Sequence, residues 1–514
     1  MSLEKKLIWM RHILKTHDIE VLEIDGNEES PCYFYAHLKL KNGIESMPLI
    51  FNGRGLTKTE ALVGAYGELL ERLQTMHIFE TRFPLTPLYG DNVEQETYKI
   101  PFTFAPDEVT IQKEKHTEID LPFYHLNTNK IESLPYRLIE FRCGSNGCAS
   151  GSTIQDATLR AWLELLERYA LRMLYCYRLT PPTISSCTFE KDEELIAVEN
   201  FCEQKNLKLI IKDCSCGLSL PVIGVLLQNQ TDSSYFFSLA AATNARHALN
   251  RALTEAFQGE RWKHMQPYDT FQMNLIEHND IDNDNARVAY SEGRHSLYTS
   301  FFNAQPTYAP MQWIPKWAKS IDEGILMCKN IFHRLNKQVY IRDVSYLGFP
   351  TVITYIPTMS EIIDFDGDRW YRHSFGLKDK IALLNHQIPS LSCQQIEELL
   401  EAQAQYNQPI SLPWFTNHDI FSYANNAIIY YLLALSVKRL DLAEHFANIT
   451  NMRTTESVTR EKLLQMFPFA NCFHCSHCIF RTSCAIEPYS YFITHLFELY
   501  TNNLPNQMQL QCLR

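Results

Sequence analysis

The residues best suited to chemistry in this chain are pairs of glutamates followed by an arginine, in the pattern E-x-x-E-R. The pattern occurs twice, with Glu68 and Glu71 in the first copy and Glu164 and Glu167 in the second. Carboxylate oxygens are hard donors that suit Mg²⁺ or Mn²⁺. Four carboxylates at one point cannot all stay ionised without cations, because like charges raise each other's pKa. The pairs therefore predict a divalent-metal site if the fold brings both copies together.

Both pairs lie inside a longer internal repeat. The segments 55–72 and 151–168 align over eighteen positions without a gap, and nine of these positions are identical. At ordinary residue frequencies, chance supplies roughly one match in such a window. A weaker third copy places Glu255 and Gln258 where the first copy has its two glutamates. The repeat therefore predicts that Glu255 adds a fifth carboxylate to the cluster.

Each copy has the composition and spacing of an amphipathic helix. Ala61, Ala65 and Glu68 fall at i, i+4 and i+7, and Glu71 follows at i+3, so all four share one face. The small alanines leave room for a bulky group to approach the backbone. The first two copies also begin with the [ST]-x-x-[DE] signature of a capping box. A solvated face with i, i+4 ion pairs would explain a single copy, but it gives no reason for a duplicated set.

Length and composition bound the classes of function. The chain has 514 residues, ordinary globular composition and a net charge of −12, which suggests two to four domains and argues against a nucleic-acid partner. The first residues are interrupted by charges and predict an amphipathic helix instead of a secretory signal. The longest apolar run, from Ala427, has eleven residues and is too short to span a bilayer. Fifteen cysteines without a secretory signal indicate a reducing, cytoplasmic compartment.

The three copies together resemble the YcaO family. The pattern is G-[KR]-G-x-T…E-x-x-E-R, then S-N-G-x-A-x-G-x-T…E-x-x-E-R, then R-x-x-x-E-x-x-Q. The resemblance covers roughly residues 30–365, and the stretch that begins at Leu347 is similar to the closing strand of that domain. Besides the glutamates, the motif residues in this chain are Gly53, Arg54 and Gly55, then Ser145, Asn146 and Gly147, then Arg251, Glu255 and Gln258.

The resemblance implies an ATP-dependent enzyme without a P-loop. Such enzymes phosphorylate the backbone amide oxygen of a peptide, so that a nucleophile attacks the amide carbon and an azoline, thioamide or amidine forms. Carried over position by position, the Mg²⁺ ions on ATP would be held by five carboxylates, those of Glu68, Glu71, Glu164, Glu167 and Glu255. The nucleotide would be contacted or positioned by Arg54, Asp156, Arg251 and Gln258.

The chain departs from the family pattern at several positions. Gly64 stands where serine is usual, Ser152 where asparagine is usual, and Asp156 where glutamate is usual, while Arg54 replaces the commoner lysine. Azoline-forming members end in a P-x-P-x-P tail, whereas this sequence ends NQMQLQCLR. The tail argues against cyclodehydration as the reaction, while the carboxylate frame still predicts ATP binding.

The predicted fold class is α+β, organised in three parts. Residues 1–365 form the YcaO-type domain, an internal pseudo-repeat of β-rich units and E-x-x-E-R helices. Residues 378–465 form an all-helical extension with weak tetratricopeptide character, and residues 466–514 form a Cys-rich segment. Within the first part, helices are predicted over 1–25, 57–79, 151–177 and 245–264, and strands over 31–40, 208–215, 220–229, 235–242, 338–346 and 349–357.

A compact cysteine cluster lies near the end of the sequence. Cys472, Cys475, Cys478 and Cys484 follow a C-x2-C-x2-C-x5-C spacing, which places thiolates around one metal centre. The compact run is typical of an iron–sulfur cluster, while the interleaved His474 and His477 suit zinc, so both metals stay open. A structural staple and a redox or sulfur-handling role also both stay open.

Two functions from different classes fit these features. The first is an enzyme that uses Mg²⁺ and ATP to activate a peptide amide for attack by a sulfur or nitrogen nucleophile. The second is an accessory factor for methylthiolation of a ribosomal protein or for another sulfur-transfer enzyme, with ATP driving a conformational step. A redox protein with a vestigial ATP site is a third class. The predicted partners are a peptide or protein substrate, a peptide-recognition or sulfur-transfer protein and a second copy of the chain in a homodimer, without nucleic acid or membrane.

Overall fold

The computed structural model describes most of the first 362 residues and short stretches beyond them. The described ranges are 2–17, 19–26, 30–40, 50–75, 93–99, 108–114, 120–189, 193–257, 262–267, 289, 295–303, 305–311, 318–362, 381, 392–406, 430, 434 and 437–449.

Helices and strands are interleaved along the chain, so the predicted mixed helix-and-sheet class is confirmed. The α-helices are α1 (Leu3–Thr16), α2 (Lys58–Gln74), α3 (Tyr136–Cys143), α4 (Ile154–Cys176), α5 (Glu193–Gln204), α6 (Ala245–Phe257), α7 (Ile321–Arg334), α8 (Cys393–Tyr406) and α9 (Leu440–Ile449). The strands are β1 (Val21–Gly26), β2 (Phe34–Leu40), β3 (Ile50–Gly55), β4 (Val93–Lys99), β5 (Glu108–Glu114), β6 (Asp120–His125), β7 (Lys130–Pro135), β8 (Cys148–Ser150), β9 (Thr183–Ile184), β10 (Leu207–Asp213), β11 (Val222–Asn229), β12 (Tyr235–Ala241), β13 (Tyr340–Asp343) and β14 (Thr351–Tyr355).

The strands form separate antiparallel sheets. Their orders are β1-β2-β3, β12-β11-β10-β9 and β7-β6-β13-β14-β8, and β4 pairs with β5. The five-stranded sheet joins strands from distant parts of the sequence, since β14 pairs with β8 through Thr351 and Ser150. This pairing therefore brings the start of α4 next to β14, a strand that lies much further along the sequence.

Each of the three predicted motif helices packs against antiparallel strands. Helix α2 lies on β2 and β3, α4 lies on β8 and β14, and α6 lies on β11 and β12. Helix α2 also touches β8 and β14, and α4 also touches β12. These shared strands bring the polar faces of α2, α4 and α6 towards a common region.

Local hydrogen bonds determine where α2 begins. The Thr57 side chain accepts the backbone N–H of Glu60 at 3.2 Å, and the Glu60 carboxylate accepts the N–H of Leu56 at 2.8 Å. Both bonds satisfy amide groups that have no partner within the helix. The capping signature in the sequence therefore predicted the helix start correctly.

The sequence predicted most of these elements but misplaced one. The strands expected around residues 31–40, 208–215, 220–229 and 235–242 are present as β2, β10, β11 and β12. The helix predicted over residues 1–25 is wrong beyond Thr16, because residues 21–26 form β1 and pair with β2. Cross-strand pairing, which local periodicity does not report, outweighs helical propensity there.

Two other expectations concern membrane-spanning helices and the division into domains. Among the described helices, none combines the length and apolarity needed to cross a bilayer. The three-part domain division stays a prediction, since most of residues 363–514 lies outside the described ranges and only α8 and α9 lie within the proposed helical extension.

Candidate functional site

The carboxylates of α2 are positioned by the close packing of this helix against β3. Ala61 and Ala65 are fully buried, and a Cβ atom on Gly53 would lie 1.8 Å from the carbonyl oxygen of Ala61. Strand β3 therefore fills the space that the alanines leave, whereas the sequence suggested that this space serves an approaching ligand. The glycine and alanine positions of the motif hold α2 against β3, and the glutamates extend beyond this contact.

The two glutamates of α2 are held by a backbone amide and an arginine. Glu68 Oε2 accepts the N–H of Asn52, on β3, at 2.6 Å. Arg72 lies between them, 3.8 Å from Glu68 and 3.6 Å from Glu71. Burial raises the pKa of the Glu71 carboxyl to about 8; Arg72 opposes this shift, and the carboxylates of Glu164 and Glu68 add to it. Glu71 thus lies where a carboxylate lacks sufficient compensating charge.

Helix α4 supplies the second pair. Glu167 Oε2 accepts the N–H of Ala241, the last residue of β12, at 3.0 Å. Burial raises the pKa of Glu164; Arg168 opposes the shift, while Glu167 adds to it. Because Glu164 also acts on Glu71, the glutamates of α2 and α4 lie within electrostatic range of each other.

Helix α6 contributes charges of both signs to the same region. Arg251 lies within electrostatic range of Glu167 and Glu164, and of Arg54 on β3. Glu255 forms an ion pair with Arg54. The structure therefore brings together residues from all three motif helices. Gln258 lies outside the described residues.

Asp156 occupies the first turn of α4 and is engaged by the chain itself. Its carboxylate accepts the N–H of Ser152 at 2.8 Å and the Nε of Arg160 at 2.9 Å. Burial alone would raise its pKa, but Arg160 and the Ser152 amide outweigh this effect and hold the pKa below its ordinary range. The nucleotide contact suggested by the family pattern therefore competes with a capping role.

Lys6 is a charged residue near Asp156 that the motifs did not single out. Its Nζ lies 4.0 Å from Asp156, and its side chain is almost fully buried on the inner face of α1. Burial lowers its pKa to about 8; Arg160 lowers it further, and Asp156 opposes the shift. A lysine on the otherwise apolar face of an amphipathic helix was the signal available in the sequence.

The S-N-G segment before β8 connects this region to β14. Asn146 Nδ2 donates to the carbonyl oxygen of Ser360 at 2.7 Å. Gly147 has a φ of +88°, and a Cβ there would lie 2.2 Å from the Thr354 carbonyl oxygen. Only glycine fits this backbone conformation and close approach without strain. The segment therefore has a structural role, because its tight backbone conformation positions the start of α4.

The donor set of this region fits a divalent cation. Five carboxylates come from three helices, and two of them, Glu71 and Glu164, have raised pKa values because burial disfavours their charge. A cation would favour the ionised forms. Within the described part of the chain, no three His, Cys, Asp or Glu side chains are already arranged as a metal-binding group. In this structure the carboxylates of the motif helices form ion pairs with Arg54 and Arg72. They also accept hydrogen bonds from the backbone amides of Asn52 and Ala241.

Ten of the fifteen cysteines lie within the described ranges, and these ten are free thiols. Cys472, Cys475, Cys478 and Cys484 lie outside the described residues, so the metal predicted for them stays a prediction.

Comparisons with known proteins agree with the motifs. The chain matches the family described as YcaO cyclodehydratase, ATP- and Mg²⁺-binding, over residues 52–360, more than half of its length. It is 25% identical over 400 residues to the ribosomal protein S12 methylthiotransferase accessory factor YcaO of Escherichia coli strain K12. That alignment covers 72% of this chain and 66% of the relative, so the chain spans just under two thirds of the relative's length.

Solved structures show a partial likeness. A heterocyclase in complex with substrate and cofactor has a TM-score of 0.48 at 16% identity, covering 70% of this chain and 53% of that chain. YcaO from Methanopyrus kandleri, bound with AMPPCP and Mg²⁺, has a TM-score of 0.43 at 16% identity, covering 70% and 91%. At these TM-scores the likeness carries no conclusion of its own. The match over residues 52–360 does: the chain belongs to the YcaO family.

Proposed function

We propose that this protein uses Mg²⁺ and ATP to activate a backbone amide of a peptide or protein. The amide oxygen attacks the γ-phosphorus and ADP leaves. A sulfur or nitrogen nucleophile then adds to the amide carbon, and phosphate leaves as the C–O bond breaks. The family match over residues 52–360, described as ATP- and Mg²⁺-binding, supports this proposal.

In this proposal the acidic residues of the site bind Mg²⁺ and the basic residues bind the phosphates. Glu68, Glu71, Glu164, Glu167 and Glu255 would hold Mg²⁺, which supplies charge neutralisation on the phosphates. Arg54 and Arg251 would pair with phosphate oxygens, which guanidinium groups bind well. Asp156 and Gln258 would position the nucleotide, with Asp156 acting from the first turn of α4.

The observation that carries the proposal is the electrostatic interaction between Glu71 and Glu164. Glu71 belongs to α2 and Glu164 to α4, yet both are largely shielded from solvent, and the charge of Glu164 raises the pKa of Glu71. Two like-charged buried groups from different helices cost stability unless a bound cation compensates them. Such an arrangement is typical of a binding site.

Nucleotide binding tests the proposal directly. We expect Glu68→Gln and Glu164→Gln each to weaken Mg²⁺-dependent ATP binding by at least about tenfold, the equivalent of about 1.4 kcal/mol. Glu203→Gln is the matched control, because Glu203 is an exposed glutamate at the end of α5. Unchanged ATP binding in both site variants would refute the convergent-carboxylate site.

The nucleophile and product are a finer part of the proposal. The family description names cyclodehydration, so a cysteine or serine side chain of the substrate is the first nucleophile to test, despite the absence of a P-x-P-x-P motif in NQMQLQCLR. External sulfide, giving a thioamide, is the second. Mass spectrometry separates them, because azoline formation removes about one water, about 18 Da, and thioamide formation adds about 16 Da.

An accessory role is the second candidate, and the similarity to the accessory factor of E. coli supports it. In that case ATP binding drives a conformational step while a sulfur-transfer partner performs the chemistry. ATP turnover that a sulfur-transfer enzyme stimulates, and that no peptide alone stimulates, would favour this role. Turnover stimulated by a peptide alone would exclude it.

The remaining parts of the proposal rest on sequence. We propose that residues 466–514 bind an iron–sulfur cluster or zinc through Cys472, Cys475, Cys478 and Cys484. We also propose a cytoplasmic location, which the cysteine usage supports. A second copy of the chain in a homodimer and a peptide-recognition or sulfur-transfer protein are the proposed partners. Sedimentation analysis at several protein concentrations measures the oligomeric state.

A further inference from the structure

One edge of the four-stranded sheet is only partly covered. Strand β9 pairs with β10 at just two positions, Ile184 with Ile211 and Thr183 with Lys212. After β9 the chain turns into a short 3₁₀ helix over Ser186–Thr188. Among the described residues, the first half of β10 therefore has no strand partner on this side. Edges of this kind are templates for pairing with another chain.

The hydrogen-bonding groups on this edge can be assigned from the register. The N–H of Asp213 donates to the carbonyl oxygen of Pro182 at 2.9 Å, whereas the N–H of Cys214 donates to Val222 on β11. Main-chain groups alternate between the two sides of a strand. The N–H and C=O of Leu209 therefore point towards the open edge, and Leu209 itself is only half-buried.

A groove of about 560 Å³ lies beside the open edge. Apolar and polar side chains line it together, and those that matter here are Ile210, Leu226, Phe302, Lys208, Gln228 and Asn303. A groove next to an unpaired strand provides what strand addition needs, main-chain bonds for affinity and pockets for alternate side chains.

Charge indicates what kind of segment fits. Lys208 is exposed on the groove side of β10, and within the described part of the chain no ion pair engages it. Lys212, two residues on, has its Nζ committed to the Pro181 carbonyl oxygen and the Thr183 hydroxyl. An edge lysine also discourages aggregation, but the adjoining groove gives a ligand a place to lie. An acidic side chain would complement Lys208.

We propose that the open edge of β10 binds an extended, acidic segment of the peptide substrate by strand addition. The identification of the bound segment as substrate rests on the proposed function. Ala241, whose N–H contacts Glu167, lies two strands from β10, so an added strand at Leu209 would be roughly 20 Å from that contact. About six extended residues span such a distance. The docked segment and the reacting amide would therefore be separate parts of one peptide.

The test begins with a displayed library of random dodecapeptides selected on the intact protein. We expect selected peptides to carry an acidic residue within an alternating apolar pattern. N-methylation of the peptide at alternate residues should weaken binding about tenfold, and at the intervening residues by less than about twofold. Lys208→Glu should weaken binding about tenfold, whereas Lys130→Glu, an exposed lysine on another sheet edge, should leave it unchanged.

Several results would overturn the inference. They are failure of any peptide to bind, N-methyl effects without a two-residue period, and equal effects of the two lysine variants. The occupant is tested by joining a selected peptide to a cysteine-containing tail through spacers of increasing length. We expect such fusions to stimulate ATP turnover by the wild type and not by Lys208→Glu. Binding without stimulation at any spacer length would overturn the assignment to the substrate.

The same experiment separates this inference from the proposed function. Lys208→Glu should bind Mg²⁺ and ATP like the wild type, because β10 carries none of the motif residues. If the wild type binds ATP but no peptide, the edge inference alone fails. If it binds peptides with the expected N-methyl pattern but no ATP, the proposed function fails while strand addition stands.

Discussion

Replacing Glu71 by glutamine should stabilise the protein in the absence of nucleotide. Its side chain is only 16% exposed, and burial raises its pKa from 4.5 to about 8, with Arg72 opposing and Glu164 and Glu68 adding to the shift. The folded protein therefore holds a proton on Glu71 at pH values where the unfolded chain does not. Glutamine has a similar shape and carries no charge, so it removes this cost.

The pH dependence and its size follow from linkage. Below about pH 4.5 the carboxyl is protonated in both states, and Glu71→Gln should change little. As pH rises from 4.5 towards 8 the unfolded wild type ionises first, so wild-type stability falls across this window. At about 1.4 kcal/mol for each pH unit the whole interval amounts to about 4–5 kcal/mol, which relaxation reduces to about 2–3 kcal/mol. Above pH 8 the gain should stay constant.

Urea unfolding followed by circular dichroism at about pH 5 and about pH 8.5 measures the effect. Glu60→Gln is the control on the same helix, because its carboxylate accepts the Leu56 N–H and its loss should cost up to about 1 kcal/mol. Equal stability of Glu71→Gln and wild type at pH 8.5, or a gain that does not diminish at pH 5, would refute the placement of Glu71 in a charge-poor site. The same variant should lose Mg²⁺-dependent ATP binding.

Three substitutions test the frame around the site, and one further measurement tests the cysteine cluster. Thr153→Ala should destabilise the protein by about 1 kcal/mol, because the Thr153 side chain caps α4; no change in thermal denaturation would contradict the cap. Gly53→Ala should abolish folding or cost several kcal/mol, about 3 or more, since its Cβ would lie 1.8 Å from a helix carbonyl. Gly67→Ala, whose Cβ would meet nothing closer than 3.7 Å, should instead stabilise α2 by about 0.5–1 kcal/mol, as circular-dichroism melting would show. Anaerobically purified protein should show either broad visible absorption, for an iron–sulfur cluster, or no colour and bound zinc by elemental analysis, and a protein with neither metal would refute the cysteine site at Cys472–Cys484.

The sequence determined the local features of the motif helices. The capping signature predicted the start of α2, and Thr153 caps α4 in the same way, because capping depends on contacts within four residues. Helical spacing also put Glu68 and Glu71 on one face, since a helix has a fixed number of residues per turn. The family pattern then added ATP and Mg²⁺, which no spacing rule provides.

Only the tertiary structure decided what each motif side chain touches. Glu68 meets the amide of Asn52, and Glu167 meets the amide of Ala241 from β12, a strand of another sheet. Residues 21–26 form a strand because β2 lies beside them, although their local sequence predicted a helix. Contacts between residues far apart in sequence depend on the whole chain packing at once, and a single sequence read by local periodicity does not report them. The number of carboxylates and the helix face they share could therefore be predicted from the sequence. The electrostatic interaction between Glu71 and Glu164 depends instead on the packing of α2 and α4 on common strands.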